Sequence, residues 1–213
     1  MSKQPGPVIL FIGKKDDYFS QIAADYLSGH LPGSTIVYSS RHEAIPDTVK
    51  NWKGDYLISY LSQWIIPAAV LENAAIGALN LHPGSPEYPG IGCTNFAIYN
   101  KEKEFGITCH YMLPKVDSGV IVKVTRFPLY SSDSVYSLTM RCYAAILSTF
   151  FELLDEILAG KVPAANGDQW QRKAYTRKQL NELCELTRDM NEMEIEKRIK
   201  ATTFGQRQWA HYK

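Results

Sequence analysis

The sequence predicts an α/β fold, a Rossmann-like, mostly parallel sheet with helices on both faces, followed by a short helical appendage. Three observations predict it. Short apolar runs alternate with amphipathic stretches over the first 160 residues, the pattern of strands buried on both faces and joined by helices. One such run ends on Asn80 and His82 and passes into the Pro/Gly stretch PGSPEYPGIG. After Gly160 the chain carries more charge and shows no convincing strand. These features divide it into a main domain, 1–160, and a small appendage, 161–213.

The elements follow in order. PVILFIG (7–13) is an apolar run ending in Gly, a buried strand. DYFSQIAADYLSGHL (17–31) places Phe19, Ile22, Ala23, Tyr26 and Leu27 on one helical stripe. STIVYSS is a second strand and DYLISYLS (55–62) a third. PAAVLENA (67–74) starts with Pro, which suits a first helical turn. GALNL (77–81), GITCHYML (106–113) and GVIVKVTRFPL (119–129) are further strands. Residues 132–160 form a long amphipathic helix with Gly160 as its stop. In the appendage, TRKQLNELCEL has Thr176 and Gln179 in a capping-box pattern, and NEMEIEKRIK is a second short helix.

Bulk properties narrow the function. The chain has 213 residues, 45% apolar and 21% charged, as in an ordinary globular protein. Its 23 basic and 22 acidic residues leave +1, which makes no general case for nucleic acid or membrane as partner. No apolar run approaches the roughly 18 residues of a membrane helix, and the first residues read as a strand, not a signal peptide. The expected location is cytoplasmic. Cys93, Cys109, Cys142 and Cys184 form no CxxC pair and have no zinc-type His spacing, so reduced thiols and no metal are expected.

The chemistry concentrates at strand ends. In an open α/β sheet, ligands bind outside the carboxyl ends of the strands. Asn80 and His82 are two residues apart, so both side chains face one pocket. Asp117 in PKVDSG follows a later strand and can turn a carboxylate toward the same crevice. Together they offer an amide donor, a base or oxyanion donor, and a carboxylate that tunes the imidazole. Taken singly, Asn80 also suits a cap, His82 a satisfied buried histidine and Asp117 an ordinary turn. GKKDD lacks both the GxGxxG and the GxxxxGK[ST] phosphate loops, which argues against dinucleotide and triphosphate cofactors. Lys14 and Lys15 nevertheless sit where they can reach a phosphate. Pro follows Ser85 where a nucleophile elbow needs a helix start, which disfavours a serine hydrolase.

LNLHPGSPEYPGIG followed by GITCHYMLPKVDSGVIVKV resembles the formyltransferases that use 10-formyltetrahydrofolate, over roughly residues 7–160. Many members follow the His with a Ser-Leu-Leu-Pro run, where this chain has Pro83-Gly84-Ser85-Pro86. HPGSPEYPGIGCTN looks most like the branch that formylates nucleotide-linked amino sugars. The resemblance implies that residues 1–160 are the catalytic domain, with Asn80, His82 and Asp117 as catalytic residues and 10-formyltetrahydrofolate as co-substrate. The folate would lie over Gln63, Trp64, Ile65 and Ile66 and over Leu113, Pro114, Lys115 and Val116. The second substrate is expected to be a nucleotide sugar, dTDP-4-amino-4,6-dideoxyglucose, of the kind used in lipopolysaccharide O-antigen assembly. Gly13, Lys14 and Lys15 would hold its diphosphate, and Tyr88, Pro89 and Gly90 its sugar. The alternatives are glycinamide ribonucleotide or methionyl-tRNA as the amine, a formyl-folate hydrolase, and a non-catalytic dimerisation module. The tail can pair subunits as a homodimer or pack on its own sheet.

Overall fold

The structure, a computed structural model, describes residues 6–213. Its first half alternates β1 (Ile9–Lys14), α1 (Tyr18–His30), β2 (Thr35–Ser39), α2 (Asp47–Lys50), β3 (Gly54–Tyr60), α3 (Ala68–Leu71) and β4 (Ala74–His82). Then come α4 (Cys93–Asn100), β5 (Glu104–Tyr111), β6 (Ile121–Pro128) and the long α5 (Val135–Leu158). The six strands form one sheet in the order β2-β1-β3-β4-β5-β6. The first four are parallel, while β5 and β6 add antiparallel to the edge.

Strand parity divides the core in two. Ile9 and Phe11 of β1, Ile58 and Tyr60 of β3, Leu79 and Leu81 of β4, and Phe105, Ile107 and Cys109 of β5 face the layer containing α1, α4 and α5. There α5 buries Leu138, Cys142, Ile146, Phe150 and Leu154. Leu10, Ile12, Leu57 and Ala78 face the other way, against Val49 of α2 and Val70 and Leu71 of α3. Burial on both faces is why these strands read as continuous apolar runs. The second layer is thin, because α2 and α3 have four residues each. The sheet face carrying Asn80 and His82 is therefore open to loops and to a ligand.

Helix ends follow local chemistry. Asp17 caps α1 by accepting from Ser20 N. Ser134 and Ser137 form a reciprocal capping box on α5, and Gly160 lies just beyond its end at φ +75°. The expected helix 67–74 is only Ala68–Leu71, because Ala74 already pairs with Gly54 in the sheet.

After α5 the chain forms α6 (Arg177–Cys184), β7 (Glu185–Leu186), α7 (Glu192–Ala201), β8 (Thr203–Phe204), β9 (Arg207–Gln208) and β10 (His211–Tyr212). The expectation of no strand here needs correction. β10 pairs with β7 and β8 with β9, and Tyr175 bridges Gly90. Strands of two residues are too short to show a period-2 pattern. The sequence reading of the N-terminus lies partly on residues 1–5, outside the described residues. Among the described residues no helix is long and apolar enough to cross a membrane.

Candidate active site

The parity that buries Leu79 and Leu81 turns Asn80 and His82 to the open face. Antiparallel β5 pairs His110 directly with Asn80 and Thr108 with His82, so His110 joins them there. Asp117 arrives from the β5–β6 connection in the left-handed region, at φ +43°. Asp tolerates this conformation better than most side chains, and it turns the carboxylate back onto the two imidazoles. Leu61, at φ +54°, is a second strained residue beside the same cleft.

These side chains form one hydrogen-bonded cluster. Asp117 Oδ2 accepts from Gly90 N at 2.7 Å and lies 3.4 Å from His82 Nδ1. Asp117 Oδ1 lies 3.2 Å from His110 Nε2, which is also 3.2 Å from Asn80 Nδ2. His82 Nε2 donates to the Tyr88 carbonyl at 3.0 Å, and His110 Nδ1 donates to the Tyr111 carbonyl at 2.8 Å. Each imidazole thus spends one N–H on a backbone carbonyl and turns its other nitrogen to Asp117. Burial opposes the charge on Asp117. Attraction to His82, together with hydrogen bonds from His110 and Gly90, outweighs it and holds the carboxyl well below the usual carboxylate range. His82, His110 and Asp117 are buried, whereas Asn80 is half-exposed. Gly84 is needed for this arrangement, since a Cβ there would lie 2.5 Å from His82 Nε2.

The cluster opens onto a cavity of about 630 Å³. Gln63, Trp64, Ile65, Ile66, Leu113, Pro114 and Val116 line it, together with Asn80, His82, Gly90, His110 and Asp117. Lys115 does not; it is exposed. Ile65, Leu113 and Val116 are exposed apolar side chains on this rim, a surface suited to the flat face of a heterocycle. Trp64 is pinned by Nε1–H bonds to the carbonyls of Ser40 and Glu43.

Several expected substrate contacts lie elsewhere. Tyr88 is buried, and its hydroxyl donates to Glu102 at 2.5 Å, so only its carbonyl serves the cluster. Pro89 and Gly13 do not line the cleft. Lys14 is held by Asp17 at 3.5 Å and Tyr143 Oη at 3.3 Å, behind the wall that Tyr143 forms. Lys15 pairs with Glu43 at 2.9 Å on the outer surface. A second cavity of about 760 Å³ adjoins the first. Arg41, Pro83, Ile91, Tyr143 and Arg177 line both. Among the described residues neither arginine makes an ion pair, and the far end of this cavity holds Phe204 and Trp209, ring centroids 6.5 Å apart and nearly parallel. Sequence reading missed His110, Arg41 and Arg177. His110 sits in a strand whose antiparallel register no local signal gives, and the two arginines come from distant parts of the chain, Arg41 from the turn after β2 and Arg177 from the start of α6.

All four cysteines are free and buried, and burial pushes the Cys93 and Cys109 thiols up to about 12, so neither is a nucleophile at neutral pH. No group of three or more metal-ligating side chains with metal-site geometry occurs among the described residues.

Comparison with known proteins gives consistent matches. The family described as formyl transferase matches residues 3–152. Methionyl-tRNA formyltransferase of Listeria welshimeri is 27% identical over 117 residues, 54% of this chain and 38% of that protein. The chain thus spans about two fifths of the length of the curated relatives it matches. A sugar N-formyltransferase from a Shewanella species superposes with TM-score 0.77 at 18% identity, covering 96% of this chain and 92% of that one. An N-formyltransferase from Helicobacter canadensis, solved with folinic acid and dTDP-3-aminofucose, gives TM-score 0.74 at 16% identity over 91% of this chain and 79% of that one.

Proposed function

Because the chain belongs to the formyl transferase family, we propose that it transfers a formyl group from 10-formyltetrahydrofolate to the amino group of a nucleotide-linked amino sugar. The observation that carries this reading is the buried His82–Asp117–His110 cluster, which meets the cleft at Asn80. In the reaction the amine nitrogen bonds to the formyl carbon, the bond from that carbon to the folate nitrogen breaks, and one proton passes from amine to folate nitrogen. Negative charge develops on the formyl oxygen. Asn80 is placed to donate to it, and a preorganised donor of this kind contributes about 3 kcal/mol to the transition state. His82, with Nε2–H fixed on Tyr88 and Nδ1 against Asp117, supplies a positive charge beside that oxygen whenever it is protonated. Asp117 stays ionised and fixes the orientation of both imidazoles, each of which turns its second nitrogen to it.

The folate ring fits the apolar rim of Ile65, Leu113 and Val116, and its polar edges meet the backbone of the segments that carry them. The nucleotide sugar then extends from Asn80 into the second cavity. Arg41 and Arg177, on the shared wall, take its diphosphate in place of Lys14 and Lys15. We assign the sugar as dTDP-4-amino-4,6-dideoxyglucose. The support is the likeness of HPGSPEYPGIGCTN to the sugar-modifying branch and the dTDP-amino sugar bound by the Helicobacter canadensis protein.

The test is a panel of amines, comprising dTDP- and UDP-linked amino sugars, glycinamide ribonucleotide and methionyl-tRNA, incubated with protein and 10-formyltetrahydrofolate. Mass spectrometry should find a formylated dTDP-amino sugar. The variant Arg41→Ala/Arg177→Ala should raise KM for it about tenfold or more, as expected for lost charge-assisted bonds, with folate KM little changed. Formate release without product, or formylation of another amine alone, refutes the substrate assignment.

A further inference from the structure

The appendage reaches the back of the imidazole cluster. Residues 163–176 are stitched to both loops that hold it. Towards the β5–β6 connection, Tyr111 Oη donates to Pro163 O at 2.8 Å, Asn166 N to Ile121 O at 3.1 Å and Trp170 Nε1 to Gly119 O at 2.8 Å. Towards the Pro/Gly loop, Gln171 N donates to Pro86 O at 3.0 Å and Tyr175 N to Pro89 O at 2.8 Å. The Trp170 ring meets His110 nearly perpendicularly, centroids 5.0 Å apart at 85°, and lies 6.0 Å from His82 at 69°. The ring itself is half-buried. One side chain therefore packs against both imidazoles, lines neither cavity, and ties down the turn that presents Asp117.

Resting on the formyl-transfer reading above, we propose that Trp170 is a positioning residue, whose ring seals water from the His82–His110 pair and so keeps both imidazoles against Asp117. Each imidazole has one nitrogen on a backbone carbonyl and the other toward Asp117. Water behind the rings would compete for these bonds and raise the local dielectric, which weakens the attraction between carboxylate and imidazole. The ring, more than its single N–H, carries the role.

Two variants separate ring from hydrogen bond. Trp170→Phe keeps an aromatic plate and loses the bond to Gly119. Trp170→Ala loses both. With the substrates the wild type accepts, Trp170→Phe should keep kcat within about threefold, while Trp170→Ala lowers it about tenfold or more with little change in either KM, as for a small misplacement of reacting groups. A second readout is independent of the assigned activity. Diethyl pyrocarbonate acylates accessible imidazoles, and peptide mapping reports each histidine. His82 and His110 should be protected in wild type and in Trp170→Phe, and should react about tenfold faster or more in Trp170→Ala. Should Trp170→Ala not fold, Trp170→Leu takes its place with the same expectation. A folded Trp170→Ala with wild-type protection overturns the proposal. Equal loss in the Phe and Ala variants also overturns it, since the bond to Gly119 would then be responsible. A wild type without formyl transfer but with the predicted protection pattern refutes the function and leaves the positioning role standing.

Discussion

Asp117 is the residue on which the cluster converges, and it sets a pH dependence. Its carboxyl is held below the usual range in the folded protein, so the fold gains stability from its ionised form. That gain is fully present above the unfolded carboxyl value and is lost as pH falls. Asp117→Asn keeps the shape and removes the charge. The melting-temperature gap between wild type and variant should be widest near neutrality and shrink from about pH 5 downward; a constant gap over that range would contradict the ion-pair account. At this scale much was legible. The spacing of Asn80 and His82 placed both on one strand face, and the turn sequence placed Asp117 near them. His110 was not legible, because its place opposite Asn80 depends on an antiparallel register 30 residues away in sequence. Tyr88 was misplaced for a related reason. Its partner Glu102 and its stacking neighbour Tyr175 are both non-local.

At the scale of elements, Gly90 is the junction between main domain and appendage. Its N–H serves Asp117, and its backbone bridges Tyr175. At φ +88°, with Tyr175 O only 2.4 Å from where a Cβ would stand, no side chain fits without movement. Gly90→Ala should destabilise the fold by about 1–3 kcal/mol and lower kcat at the same time, measured by urea denaturation and turnover. Loss of stability with unchanged kcat would separate the appendage from the site. Elements with local signals were readable, among them the Thr176/Gln179 capping box of α6 and the stop at Gly160. Helix α4 was not, because its N-cap, Gly92, adopts φ +73° and offers no capping side chain. The strands of the appendage were hidden by their length.

The whole molecule is a sheet with one thick and one thin covering. The thick layer, centred on α5, supplies most of the buried core. The thin layer leaves Asn80 facing the first cavity, with the apolar rim of Ile65, Leu113 and Val116 beside it and Arg41 and Arg177 on the wall shared with the second. Strand alternation made the sheet predictable. The joint cleft was not, because it is assembled from the Pro/Gly loop, the β5–β6 turn and the appendage, which meet only in three dimensions. The central claim is that this cleft performs formyl transfer at Asn80. The most direct test is turnover of 10-formyltetrahydrofolate with dTDP-4-amino-4,6-dideoxyglucose by wild type and by Asn80→Ala, with folding of each checked by melting temperature. The account predicts formylated sugar nucleotide from the wild type and a kcat lower by about two orders of magnitude or more in the folded variant. Undiminished turnover in a folded Asn80→Ala would contradict it.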